Sequence, residues 1–193
     1  MEWHRGEYTA SDDRWRVDRE VVHGFLTESY WARGISRDVV ERSIRHSLCF
    51  GIYHQGLQVG FARVITDHAT FAYLADVFVV PAHRGRGLAK WLMECIVSHR
   101  DLQGLRRFLL GTKDAHGLYA QFGFAPPRYP SIWMEIHDEG VYQPTGRESG
   151  YQPTGRAADG AAEGARWGVL GGSEALSSMV ADVPPQLDTT ETS

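Results

Sequence analysis

The chain has 193 residues, 42% of them hydrophobic and 23% charged, with a formal net charge of −4. That length gives one domain, or one domain and a tail, with a core large enough to stand without staples, and the composition is that of a soluble globular protein. The slight acidity argues against a nucleic-acid groove, no stretch approaches the ~18 consecutive apolar residues of a membrane span, and two cysteines, Cys49 and Cys95, cannot form a disulfide framework.

The opening segment, MEWHRGEYTASDD, lacks the apolar stretch of a secretory leader, so a cytoplasmic protein is expected. One short strand is conceivable near RWRV. Arg19 to Trp31 and Ser36 to Leu48 then place Val21, Val22, Phe25 and Leu26, followed by Val39, Val40 and Ile44, at helical spacing, with Ser36 as the second helix's N-cap. Cys49 to Thr66 reads as two strands around a turn at Gln55-Gly56, and Thr70 to Val80 as a third, almost wholly apolar strand. Helical period returns from Gly87 to His99. Arg106 to Thr112 is a further strand, Ala115 to Phe122 a short helix stopped by Gly123, and Ser131 to Ile136 a last strand. The order ααβββαβαβ predicts an α/β (α+β) architecture, a mixed central sheet flanked by helices, with a parallel crossover from Phe71 to Thr112.

Composition changes at Gly140. All eight Phe and all nine His precede it, and beyond it three basic residues face seven acidic ones. The segment holds a YQPTGR repeat and runs of Gly, Ala, Pro and Thr with too little apolar surface to offset ordering the backbone. The expected domains are therefore residues 1–138, folded, and 139–193, a disordered low-complexity tail.

The junction VVPAHRGRGLAKWL, residues 80–93, joins an apolar strand to a helix through two glycines and two arginines. Glycines there let successive amides point into one hollow, and the helix dipole adds favourable potential for an anion. No Walker loop is present, and no ribose-binding acid completes a dinucleotide fingerprint. The pattern that fits is R-x-x-G-x-A, at Arg84, Gly87 and Ala89, followed downstream by GLYAQFGF, Gly117 to Phe124. Together these resemble the pyrophosphate signature and the "LY-x-x-x-GF" segment of the GNAT acetyltransferase superfamily.

The resemblance implies acetyl-CoA as co-substrate, its diphosphate held at Arg84, Gly85, Arg86, Gly87, Leu88 and Ala89. It implies a pantetheine arm along the backbone of Phe78, Val79 and Val80, a mode that tolerates sequence change because main-chain groups bind. Thr112 stands where many relatives carry an Asn that contacts that arm. Tyr119 matches the family's general acid toward the departing thiolate, with aromatic packing under the cofactor helix as its alternative. Acceptor contacts are implied at Ser29 to Gly34, chiefly Tyr30 and Trp31, and at Trp133, with core packing at a helix end as the equal alternative for Tyr30 and Trp31.

Asp76 is the lone acid in the apolar run Phe71 to Val80. Desolvation would raise its pKa and suit a general base. Binding the substrate's positive charge, or a structural role paired within the fold, fits equally well. His116 reads first as a surface or capping histidine and only second as a proton-handling group. His46, Cys49 and His54 match no closed zinc set, and acetyl transfer needs no metal. The expected activity is N-acetyl transfer to a small-molecule amine by direct attack, in a monomer or homodimer. The alternatives are a non-catalytic acyl-CoA sensor and an enzyme acting on protein or peptide amines.

Overall fold

The computed structural model describes residues 1–138 and 140–142. The expected tail, 139–193, lies almost wholly outside the described residues. Six strands form one sheet in the order β1 (Glu2–Arg5), β2 (Tyr8–Ser11), β3 (Leu48–His54), β4 (Leu57–Thr66), β5 (Phe71–Val79) and β6 (Arg107–Leu110). Every neighbouring pair is antiparallel except β5 and β6, which run parallel and are joined through α3 (Leu88–Val97).

The period-two alternation of the strands sorts their side chains between two layers. On one face Phe50, Ile52, Ala62, Val64 and Leu74 meet the apolar stripe of α3, including Leu88, Leu92 and Ile96. On the other, Cys49, Phe61 and Phe78 meet Val22 and Leu26 of α1 (Arg19–Glu28) and Val40 and Ile44 of α2 (Arg37–Arg45). The turn between β3 and β4 falls at Gln55 and Gly56, both at positive φ as a two-residue hairpin of this twist requires.

Three departures from the sequence reading have physical causes. The chain begins with a hairpin, β1 and β2, and not with helices; its strands alternate too briefly to register as a period. The RWR of RWRV is a 3-10 turn, fixed because the Asp13 carboxylate accepts the Trp15 amide at 2.9 Å. The expected last strand at Ser131 to Ile136 does not form. Pro130 sets φ for a turn, Pro130–Ile132 winds as 3-10 helix, and the Trp133 ring lies 4.4 Å from the Arg107 guanidinium instead of entering a ladder. The short helix α4, His116–Ala120, forms as expected and is followed by Gly123 at φ 84.

Both early helices carry side-chain caps of unequal strength. Asp18 accepts the amides of Glu20 and Val21 at 2.9 and 3.2 Å, whereas Ser36 accepts only that of Val39 at 3.4 Å. Asp18→Ala should therefore lower the urea midpoint by the equivalent of about 1 kcal/mol, and Ser36→Ala by a few tenths. Equal shifts would show that cap geometry does not set the stability of these helix starts.

Candidate active site

The strands β5 and β6 pair from Phe71↔Arg107 to Leu74↔Leu110, and beyond that point they part. On its other side β5 stays paired with β4 as far as Gly60↔Val79, so the edge of β5 from Ala75 to Val79 has no strand partner among the described residues. A cavity of about 510 Å³ opens at the parting, reached by Tyr30, Trp31, Asp76, Thr112, Lys113 and Tyr119. Four of the sequence-predicted site residues from α4, the α1–α2 connection and β5, with Thr112 beside them, are thus brought to one hollow.

Asp76 marks the parting in the backbone itself. Its φ of 54° is left-handed, a conformation costing a non-glycine residue about 1–3 kcal/mol, and the register with β4 shifts between Phe61 and Arg63 opposite it. The carboxylate is not solitary. One oxygen accepts the Nε–H of Arg63, and the other accepts the Trp31 indole N–H at 3.2 Å. The side chains of Asp76 and Arg63 are only 9% and 18% exposed, and Arg63 also reaches the Ser47 hydroxyl at 3.4 Å. Arg63 went unnoticed in the sequence because one Arg in a strand reads as its solvent face; the β-bulge that turns Asp76 toward it leaves no compositional trace.

Trp31 is thereby held at the cavity wall, with Tyr30 edge-on to it at 4.9 Å and Phe25, itself stacked on Phe78 at 3.9 Å, behind. Tyr119 is 9% exposed, and burial, reinforced by nearby Tyr30 and Asp114, pushes its phenol above the ordinary tyrosine range. The Thr112 hydroxyl accepts the Ala115 amide at 3.0 Å and shapes the loop into α4. Trp133 and His116 lie outside the cavity lining, Trp133 on Arg107 and His116 exposed at the start of α4.

From Val79 the chain turns through Pro81–His83 into the glycine loop. Arg84, exposed on the surface, donates its Nε–H back to the Val79 carbonyl at 2.9 Å and so closes the turn. Gly85 and Gly87 take φ of 74° and 73° on either side of Arg86, and Gly87 is the N-cap of α3 without a side-chain cap bond. Among the described residues, no backbone carbonyl or side chain accepts the amides of Gly85, Arg86, Gly87, Leu88, Ala89 or Lys90; the first helical bond here is Trp91 to Gly87. A Cβ built on Gly85 or Gly87 meets nothing within 4 Å, so the concavity is open. Arg86 leans on the Tyr8 hydroxyl at 3.2 Å, which lies 3.0 Å from His83 Nδ1, a contact supplied by the unforeseen β2.

A family model described as acetyltransferase (GNAT) domain matches residues 45–126. A Gibberella zeae protein named as an acetyltransferase is 31% identical over 142 residues, covering 62% of this chain and 79% of that protein. A solved structure from Xanthomonas campestris, named as a GNAT-family acetyltransferase, is 52% identical with a TM-score of 0.69, covering 70% of this chain and 96% of the other. A Clostridium acetobutylicum acetyltransferase solved with acetyl-CoA shares the fold at 14% identity and a TM-score of 0.50, covering 67% and 94%.

Removing Arg63 leaves the Asp76 carboxylate buried without its counter-charge, in a strained backbone. Arg63→Leu is expected to cost about 3 kcal/mol of unfolding free energy in urea titration. A cost below about 0.5 kcal/mol would mean that this pair does not hold the bulge.

Proposed function

This chain belongs to the GNAT acetyltransferase family, whose members use acetyl-CoA, and from that premise we propose that it transfers the acetyl group to the amine of a small molecule by direct attack. The observation that carries the reading is the run of amides from Gly85 to Lys90, without partners among the described residues, placed one turn beyond the edge of β5 that is likewise unpaired among them. These groups fit a diphosphate, because left-handed glycines and a helix start supply successive backbone donors. The acetyl-CoA complex of the Clostridium relative supports the same use of this fold.

The co-substrate supplies an activated acetyl thioester. Main-chain groups of Phe78, Val79 and Val80 flank its arm in this reading, with Thr112 across from them. Arg86 is the loop's charge toward the phosphates in this reading, whereas Arg84 serves the turn. Tyr119 donates the proton to the departing sulfur. Its buried phenol stays protonated through the neutral range, so the donor form is always present.

Of the three roles open to Asp76, the geometry favours the third, since both of its oxygens are engaged within the protein. We therefore place the carboxylate as the residue that orients Trp31, and the acceptor enters as its free amine. The cavity volume of about 510 Å³, with aromatic walls at Tyr30 and Trp31, supports a small acceptor carrying an apolar body.

Three expectations follow from this arrangement. Gly87→Val forces a β-branched residue to φ 73° and should weaken CoA binding at least tenfold in calorimetry; Gly104→Val, equally left-handed at φ 71° but remote, should leave affinity alone. Matched losses at both positions would remove the loop from cofactor binding. Thiol release across an amine panel tests the reaction: Tyr119→Phe should lower kcat at least tenfold with CoA affinity retained. The acid limb of the pH profile should move with the pKa of each acceptor. A limb fixed for all acceptors would return Asp76 to the role of base, and no release with any amine would favour a binding-only protein.

A further inference from the structure

The chain contains two lysines, Lys90 and Lys113. Lys90 is exposed on α3, away from the cavity, whereas Lys113 stands on the loop between β6 and α4 and lines the cavity with Tyr119 and Thr112. The bond from the Ala115 amide to the Thr112 hydroxyl fixes the backbone on which Lys113 is carried. Its ammonium lies 5.8 Å from the ring of Tyr30, which belongs to the α1–α2 connection on the opposite wall. Tyr30 is also close enough to Tyr119 to influence its phenol. The one primary amine of the site therefore crosses its mouth on a long, flexible stem, within the same small hollow as the proposed acid.

We propose that Lys113 is acetylated by the enzyme itself, an inference that rests on the acetyl-transfer reading of this cavity. The free ε-amine of Lys113 forms an N–C bond to the acetyl carbon as the C–S bond of the thioester breaks. The sulfur departs with the bonding pair and takes the Tyr119 proton, and the proton lost by the lysine nitrogen passes to solvent through the open mouth. Acetylation removes the charge that sits over Tyr30 and leaves a bulkier neutral amide across the acceptor entrance. The consequence is self-limitation, in which an enzyme charged with acetyl-CoA but lacking acceptor slowly closes its own site.

The test incubates the full chain with acetyl-CoA and no acceptor, followed by peptide mapping of both lysines over time. Acetylation of Lys113 at least tenfold faster than of Lys90, slowed at least tenfold by Tyr119→Phe, is the expected result. Preincubation should then reduce subsequent amine turnover several-fold in the native chain, while Lys113→Arg keeps the same ratio before and after. Equal modification of the two lysines, or indifference to Tyr119→Phe, would identify background acetylation by free thioester and overturn the proposal. A protein that turns over an amine yet leaves Lys113 unmodified overturns this inference alone. One that neither binds CoA nor releases thiol overturns the functional reading beneath it as well.

Discussion

Six consecutive amides, Gly85 to Lys90, have no acceptor among the described residues, and the fold is arranged so that they stay unpaired. An α-helix always leaves its first few N–H groups free, but here the free run extends three residues back into the loop because Gly85 and Gly87 adopt left-handed backbone. Arg84 secures the base of that loop on the Val79 carbonyl, and the burial of Leu88, Leu92 and Ile96 under the sheet secures its far end. The donors are thus held between two fixed points, with an open concavity in front of them. Preorganisation of this kind spares a polyanion the cost of ordering its own binding site.

The same strand that delivers the loop also opens the cavity beside α4. β5 is paired on both edges to Leu74 and on one edge thereafter, and Asp76, at positive φ, sits where the change occurs. A left-handed aspartate inside a sheet persists only where surrounding contacts over-determine it. Arg63 from β4 and Trp31 from the α1–α2 connection supply those contacts, so one carboxylate ties the bulge, the neighbouring strand and the aromatic wall of the cavity together. Backbone strain in β5 and placement of the aromatic wall are therefore one problem with one solution.

Much of this architecture was legible in the sequence, and for definite reasons. Four of the six strands and all four helices, the short α4 included, announce themselves in the sequence pattern, and the Gly85-Arg86-Gly87 junction through glycine placement between a strand and a helix. The hairpin of β1 and β2 was hidden because four-residue strands offer too few alternations. The strand expected at Ser131 to Ile136 was a false reading of β-branched and aromatic residues, overruled by Pro130. Of the residues lining the cavity, Tyr119, Thr112, Tyr30 and Trp31 were singled out through the GNAT resemblance, whereas Arg63 and Lys113 were not. Their importance comes from a bulge and from a loop crossing a cavity, and neither has a signature along the chain.

The account turns on the amides of the glycine loop, and residue-resolved hydrogen exchange or amide chemical shifts during a CoA titration test it most directly. The amides of Gly85 to Lys90 should respond first and most strongly, with protection spreading to Ala75 to Val79 along the free edge of β5. A titration that saturates while those loop amides remain unmoved, with the response concentrated elsewhere on the sheet, would contradict it.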